Sequence, residues 1–181
     1  LRICLDSMST TVNPTSMTSP SLISRSKQFI KLLFIVNPNA GKKISSKVID
    51  TIRAEFPENI YYQIVIWKDK DHFDEITELL KTQDYTDAIA VGGDGTVNDV
   101  AKTILNTNIR LGIVPIGSGN GLARSLGLSM KIEEVIHQIA SGKTGTIDSG
   151  IVNGISFFCT SGIGFDAHIG HLFASSKKRG L

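Results

Sequence analysis

Cysteine is scarce in this sequence: two residues, Cys4 and Cys159, stand among 181. Thiols so few and so widely separated exclude a disulfide framework and a cysteine-based zinc site, the two structural uses of cysteine in small domains. A chain without such a framework needs no oxidising environment to fold. We therefore expect it to lie in the reducing cytoplasm.

Long apolar runs and a net charge of one sign are also missing. The longest apolar stretch, residues 29–36, is interrupted by Lys31 and is far shorter than the roughly 20 residues of a bilayer-spanning helix. Lysine and arginine number 19 against 17 aspartates and glutamates, so the formal net charge is only +2. This balance gives no field that would attract nucleic acid. The sequence predicts neither a transmembrane segment nor a nucleic-acid partner.

The first residues carry no periodic pattern. Residues 1–26 are rich in serine, threonine, methionine and proline. They show neither the helical nor the strand period, and they lack the apolar core of a signal peptide. The sequence predicts a disordered leader over residues 1–26.

From residue 27 to residue 142, apolar strand-like runs alternate with helix-periodic segments. The predicted strands cover 29–36, 60–67, 87–91 and 111–116. The predicted helices cover 44–56, 73–80, 97–105, a short segment ending at 126, and 132–139. Alternation of this kind is typical of an α/β domain, because parallel strands need crossover connections that place helices on both faces of the sheet. We predict such a domain over residues 27–142.

The pattern changes after residue 142. Residues 146–152 and 155–160 have strand character and are joined by Asn153-Gly154, the dipeptide that most strongly favours a tight hairpin. A helix-like stretch begins near Asp166. We interpret residues 143–181 as the beginning of a β-rich second domain that is truncated in this sequence.

Two glycine-rich turns follow consecutive predicted strands: Gly92-Gly93-Asp94-Gly95-Thr96 and Gly117-Ser118-Gly119-Asn120-Gly121. Each turn opens a predicted helix, and a third turn, at Asn37, follows the first strand. The carboxyl ends of parallel strands meet at one edge of a sheet, where ligands bind. Unpaired N–H groups and the positive end of a helix dipole attract phosphate oxygens. The pattern predicts a phosphate-binding edge.

Asp94 lies inside the first glycine turn, where a carboxylate would repel phosphate. We therefore assign it a chemical task, as the acceptor of a hydroxyl proton or as a metal-linked group. The P-loop does not fit, because His137 stands where Gly142-Lys143-Thr144 would need a preceding glycine. The dinucleotide fingerprint fails because Leu122 occupies the place of its third glycine. The turns predict a phosphoryl-transfer enzyme of another type.

The two turns with their flanks, VGGDGTVNDV at 91–100 and VPIGSGNGLARSLGL at 114–128, resemble the catalytic domain of diacylglycerol kinases and sphingosine kinases. The bacterial lipid kinases of that superfamily are the most similar type. The string NPNAGK at 37–42 is similar to the family's first-strand turn, and GIGFDA at 162–167 to a segment of its second domain. NAD kinases and phosphofructokinases also carry strings like GGDGT. Four motifs in the family's order make the resemblance specific.

This resemblance implies a lipid kinase in which ATP, with Mg²⁺, is bound between the glycine turns. A lipid hydroxyl would be phosphorylated in the cleft between two domains, with Asp94 as the acid–base or magnesium-linked carboxylate. The implied nucleotide contacts lie in and beside the three turns: Asn37, Gly92, Gly93, Gly95, Thr96, Asn98, Gly117, Ser118, Gly119 and Asn120. The cluster Lys177-Lys178-Arg179 matches a region that supplies cations to the phosphates in sphingosine kinases.

The resemblance also implies a place in lipid metabolism, with peripheral and reversible membrane contact from the cytoplasm. Further acidic ligands are expected beyond residue 181, so we expect the 181-residue chain alone to have little kinase activity. The identity of the lipid and the oligomeric state stay open.

Two other functions remain as alternatives: a NAD kinase-like enzyme of the same fold, and a nucleotide-binding module without catalysis. Several residues also have two interpretations. Thr96 and Ser118 are helix N-caps or phosphate contacts, and Asn98 and Asn120 order the loops or touch nucleotide. Trp67, in a region where some bacterial relatives have a threonine contact, is assigned to packing rather than to base stacking.

Overall fold

The computed structural model describes residues 1–4, 30–40 and 45–158. Eight strands form in chain order: β1 Arg2–Cys4, β2 Lys31–Val36, β3 Tyr61–Ile66, β4 Asp87–Gly92, β5 Arg110–Pro115, β6 Thr144–Thr146, β7 Gly150–Val152 and β8 Ile155–Phe157. Five helices lie between them: α1 Ser45–Glu55, α2 Lys70–Thr82, α3 Asp94–Thr103, α4 Gly121–Ser125 and α5 Ile132–Ser141.

The first six strands form one sheet in the order β3-β2-β4-β5-β1-β6. The pairings among β3, β2, β4, β5 and β1 are parallel, and only β6 runs antiparallel to its neighbour β1. The predicted α/β class with a parallel sheet is confirmed. β7 and β8 form a separate antiparallel pair.

Both faces of the sheet are buried, which explains why its central strands are continuous apolar runs. Along β2, Leu33 and Ile35 belong to one core cluster while Leu32, Phe34 and Val36 belong to the other. Helices α2, α3 and α4 contribute to the first cluster, and α1 and α5 contribute to the second. The predicted layers of helix, sheet and helix are therefore present.

The strand order creates a switch point between β2 and β4. From β2 the chain moves outward to β3, whereas from β4 it moves in the opposite direction to β5. Helix α1 lies on one face of the sheet, and α2 and α3 lie on the other. The connections therefore diverge at the carboxyl ends of β2 and β4, and a crevice opens there, as is general for doubly wound sheets.

The structure differs from the sequence prediction at the first residues. Arg2–Cys4 form a strand within the segment predicted as a disordered leader, while residues 5–26 lie outside the described residues. Ile3 is fully buried and pairs with Leu111 of β5 and Gly145 of β6. Three residues carry no measurable period, so this strand is specified by its partners in the sheet rather than by its own pattern.

The predicted strand over 146–152 is divided in two. Thr144–Thr146 joins the large sheet as β6, and only Gly150–Val152 enters the hairpin with β8. The Asn-Gly turn itself is confirmed, because Asn153 and Gly154 have φ values of +49° and +76°. Two successive residues with positive φ are what a type I′ hairpin turn requires. The division into domains at residue 142 stays a prediction, and the helix near Asp166 lies outside the described residues.

Within the described ranges, no helix combines the length and the apolar character needed to cross a bilayer.

Candidate active site

The three predicted turns lie side by side at one edge of the sheet. Asn37 follows β2, Gly93 follows β4 and Gly117 follows β5, and these three strands are neighbours. The ladder hydrogen bonds continue into the turns. The Asn37 N–H donates to the Val91 carbonyl at 3.0 Å, and the Ile116 N–H donates to the Gly92 carbonyl at 3.0 Å. The sheet register therefore fixes where each turn begins.

The two glycine turns contact one another directly through their backbones. A Cβ atom built on Gly117 would lie 2.5 Å from the Gly93 Cα, and one on Gly93 would lie 3.2 Å from the Gly117 Cα. Carbon atoms in contact normally stay about 3.5–4.0 Å apart. Glycine at position 117 is thus needed for close approach, and it makes the two turns one continuous surface.

Asp94 is the first residue of α3, and its side chain lies against the second glycine turn. Its Oδ1 accepts a hydrogen bond from the Leu122 N–H at 3.3 Å. Its Oδ2 would lie only 2.9 Å from a Cβ on Gly119. The carboxylate remains exposed, so it is held at the junction of the two turns and is still accessible to a ligand.

Asn37 and Thr96 connect the first-strand turn to α3. The Asn37 amide Nδ2 donates to Thr96 Oγ1 at 2.9 Å, and its Oδ1 accepts from the Asn39 N–H at 2.9 Å. Thr96 is buried, and the N-cap of α3 is Gly93, which has no side chain. The N-cap interpretation of Thr96 is therefore wrong, because the residue lies inside the helix. Its contact with a nucleotide stays a prediction.

Asn120 locks the second glycine turn. It has a left-handed backbone (φ +53°) and is buried, with only 6% of its surface exposed. Its Oδ1 accepts from the Gly117 N–H at 3.0 Å, and its Nδ2 donates to the Gly117 carbonyl at 2.8 Å. The loop-ordering interpretation thus describes this side chain, and its contact with a nucleotide stays a prediction. Asn120 is also the N-cap of α4, so the N-cap interpretation of the exposed Ser118 is wrong.

Arg124 and Gly95 differ in how closely they contact the turns. Arg124 donates from its Nε to the Gly119 carbonyl at 2.9 Å and so braces the turn from outside. Gly95 has open space around it, because a Cβ there would meet nothing within 4 Å. Gly95 therefore has no steric need to be glycine in the free protein.

A cavity of about 410 Å³ lies beside Asn37 at the carboxyl ends of β2 and β3. Its other walls come from the turn after β2, from the loop after β3, from α2 and from α3: Asn39, Trp67, Lys68, Asp69, Lys70, Phe73, Asp74 and Asp99. Trp67 packs on Phe73 with ring centroids 4.4 Å apart, as the packing assignment expected, and it also lines this cavity. Its indole N–H donates to the Asp69 carbonyl at 2.6 Å, which fixes the ring.

Asp99 is a residue of this first cavity that the sequence analysis did not single out. Burial raises the pKa of its carboxyl group above the usual value, and the Lys102 ammonium partly offsets that effect. The only signal in the sequence was its position, three residues after Thr96 and therefore on a neighbouring part of the same helix face.

A second cavity, of about 460 Å³, lies between α3, the start of α4 and the β7–β8 hairpin. It is lined by Asp94, Val97, Asn98, Lys102, Gly121, Leu122, Ile155, Ser156, Phe157 and Phe158. Asp94, Asn98 and Lys102 are spaced by four residues and so lie on one face of α3. Asn98 lines this second cavity and not the first, although it was grouped with the nucleotide contacts.

Among the described residues no group of three or more histidine, cysteine or acidic side chains is arranged to hold a metal ion. Parts of the segments that carry the family resemblance fall outside those residues, namely residues 41–42, the segment 162–167 and the cluster Lys177-Lys178-Arg179.

Comparison with known proteins places this arrangement in a family. One relative is diacylglycerol kinase of Bacillus subtilis (strain 168), which is 30% identical over 137 residues that cover 72% of this chain and 44% of that protein. Another is sphingosine kinase 1 of Arabidopsis thaliana, which is 34% identical over 131 residues that cover 65% of this chain and 27% of that protein. The crystal structure of a diacylglycerol kinase from Bacillus anthracis str. Sterne superposes with a TM-score of 0.60 at 28% identity, over 73% of this chain and 47% of that one. The chain thus spans less than half the length of these relatives.

The family model that matches is the diacylglycerol kinase catalytic domain, over residues 31–152. This range contains the Asn37 turn, both glycine turns and Asp94. Since the matched range covers most of the chain and its motifs meet at one edge of the sheet, the chain belongs to the diacylglycerol kinase catalytic-domain family.

Proposed function

We propose that the protein transfers the γ-phosphoryl group of ATP to the hydroxyl group of a lipid. One observation carries this proposal beyond family membership. Asp94 lies at the junction of the two glycine turns and also lines the second cavity. The same carboxylate therefore faces a surface suited to phosphates and a cleft suited to an acceptor.

The glycine edge supplies the phosphate side of the reaction. The first turn of α3 offers backbone N–H groups and the positive end of a helix dipole, both of which favour negative charge. The first cavity, next to Asn37 at the carboxyl ends of β2 and β3, has room for the nucleoside. In this proposal Asn37, Gly92, Gly93, Gly95, Thr96 and the residues 117–119 form the nucleotide site, and Asn120 holds the second turn in place.

The acceptor enters through the second cavity, beside Asp94. A hydroxyl oxygen is a weak nucleophile until its proton has an acceptor, and a positioned carboxylate contributes about 10²–10⁴-fold to such reactions. The Asp94 carboxylate takes this proton as the hydroxyl oxygen forms its bond to the γ-phosphorus. The bond between that phosphorus and the β–γ bridging oxygen breaks, and ADP leaves with the bridging oxygen.

Mg²⁺ fits the described residues only in one manner. In phosphoryl-transfer sites this ion keeps several waters and is held by one or two carboxylates together with the substrate's phosphates. Asp94 is the carboxylate at the junction of the two glycine turns, where this proposal puts the phosphates, so it would hold the ion jointly with the nucleotide. When bound, the ion neutralises phosphate charge. The proposal includes reversible contact with a membrane surface from the cytoplasm, where the acceptor is found.

The test is the substitution Asp94→Asn in the intact protein. We expect the variant to keep its ATP affinity, measured by calorimetric titration, and to lose about 10²–10⁴-fold in phosphate transfer to lipid. Asp71→Asn is the matched control, because Asp71 is also an exposed acid in the first turn of a helix and lines neither cavity. Unchanged phosphate transfer by Asp94→Asn would remove Asp94 from the mechanism. If the wild type transferred phosphate to NAD but to no lipid, NAD would be the acceptor and the lipid proposal would be wrong.

A further inference from the structure

The second cavity has charged groups of opposite sign at its two ends. Asp94 and Lys102 both line it, and they are eight residues apart on the same face of α3. At 1.5 Å per residue their Cα atoms are separated by roughly 12 Å along the helix axis. Asn98 lies midway between them on the same face. A ligand lying along this face would pass from the carboxylate, over an amide, to the ammonium group.

The opposite walls of this cavity are largely apolar. They come from Val97 and Leu122, which are buried, from the hairpin residues Ile155 and Phe157, and from Phe158, which follows the hairpin. An apolar wall facing a polar helix face suits an amphiphile, whose chains contact the wall while its headgroup lies along α3. The dimensions and the lining therefore describe a site for a lipid headgroup with part of its chains.

Lys102 is available to such a headgroup. It is exposed, and among the described residues its ammonium group forms no ion pair within 4.0 Å. Asp99 is close enough for its carboxyl to be influenced by Lys102, yet Asp99 lines the first cavity and not the second. Of the charged side chains that line the second cavity, Asp94 and Lys102 are the two present.

Resting on the proposed lipid kinase function, we propose that the acceptor carries an anionic group near its reactive hydroxyl and that Lys102 selects it. With the hydroxyl at Asp94, a phosphodiester or carboxylate a few bonds away would come within reach of the ammonium group. A neutral acceptor gains nothing from Lys102, and an acceptor with its own ammonium group is repelled by it. Lys102 is thus a specificity-determining residue, and the acceptor belongs to the anionic hydroxylated lipids.

The experiment measures transfer from ATP by the intact protein to three acceptors in neutral-detergent mixed micelles: dioleoylphosphatidylglycerol, dioleoylglycerol and sphinganine. Lys102→Glu should lower kcat/KM for phosphatidylglycerol about tenfold or more and leave kcat/KM for dioleoylglycerol within about twofold, since reversing a nearby charge acts on charged ligands only. For phosphatidylglycerol, Lys102→Gln should lie between the wild type and Lys102→Glu. Lys81→Glu is the matched control, because Lys81 is an exposed lysine in the last turn of α2 and lines neither cavity.

Equal losses on the anionic and neutral acceptors, or equal effects of Lys102→Glu and Lys81→Glu, would overturn the inference. Absence of transfer to every lipid would refute the proposed function, and binding then decides the inference separately. Calorimetric titration with the soluble short-chain lipids dihexanoylphosphatidylglycerol and dihexanoylglycerol should show tighter binding of the anionic one, lost in Lys102→Glu. Equal binding of the two lipids by the wild type would overturn the inference.

Discussion

Replacing three glycines of the two turns by alanine, one at a time, should give three different outcomes. The added methyl group is the same in each case, but its surroundings differ. At Gly95 nothing lies within 4 Å of the new Cβ, at Gly117 a backbone carbon lies at 2.5 Å, and at Gly119 a side-chain oxygen lies at 2.9 Å. The series therefore tests whether close backbone approach is what places the site.

Gly95→Ala should stabilise the free protein. Gly95 is the second residue of α3, and alanine is favoured over glycine within a helix by about 0.5–1 kcal/mol. For a domain of this size 1 kcal/mol corresponds to roughly 2–4 °C in Tm. We expect the midpoint of thermal or urea unfolding to rise by a small amount when no nucleotide is present.

Gly117→Ala should destabilise the free protein. The new methyl group would be about 1 Å or more closer to the Gly93 Cα than carbon atoms normally approach, and the obstacle is backbone that no rotamer change can remove. Overpacking of this kind costs about 1–3 kcal/mol. The two turns should separate, so ATP affinity should fall together with stability.

Gly119→Ala should change the free energy of unfolding by no more than about 0.5 kcal/mol, as is usual at exposed positions. It should nevertheless lower turnover. Here the obstacle is Asp94 Oδ2, the end of a side chain that can rotate away. Displacing a reacting group by about 1 Å costs up to roughly 10²-fold in rate. Urea unfolding followed by circular dichroism measures stability, and phosphate transfer measures turnover. A Gly117→Ala variant as stable as the wild type would refute the reasoning, as would a Gly95→Ala variant destabilised by more than about 1 kcal/mol.

Two further substitutions test the surroundings of these turns. Asn120→Ala removes two hydrogen bonds to Gly117 and places alanine in the left-handed region, so the free energy of unfolding in urea should fall by about 3 kcal/mol. Asn120→Gly should lose about 1 kcal/mol less, because glycine tolerates that backbone conformation. Equal losses for the two variants would contradict this account. Because the pKa of Asp99 is raised by burial, its contribution to stability is lost as pH rises from the ordinary carboxyl value of about 3.9 through the raised value. Asp99→Asn should therefore be more stable than the wild type at pH 7 and equal to it near pH 3, and a pH-independent difference in urea unfolding would refute this.

Much of the sheet and its site edge could be predicted from the sequence. Strands β4 and β5 are apolar on both faces because helices cover both faces, and a buried run that ends in glycine is a clear signal of a strand followed by a turn. The Asn153-Gly154 turn was predictable because few other dipeptides tolerate two positive φ values. Convergence of the three turns followed from the parallel direction of their strands.

The details of the site depended on tertiary contacts that no local pattern encodes. Thr96 has the residue type of an N-cap, but the N-cap is Gly93, so the helix begins three residues earlier than an N-cap at Thr96 would require. Asn120 has the residue type of a ligand contact, and its left-handed backbone turns the amide toward Gly117 instead. The location of Asn98 beside Asp94 was available in the sequence, because residues four apart share a helix face.

The strand β1 bears on the order in which this protein assembles. Ile3 pairs with Leu111 and Gly145, so β1 can take its place only after a very long stretch of chain has been closed into a loop. The strands β3, β2, β4 and β5 are joined by short helical crossovers and need no such closure. We therefore expect the edge with the three turns to form before β1 and β6 are added. Transient opening at that far side of the sheet would leave the edge intact.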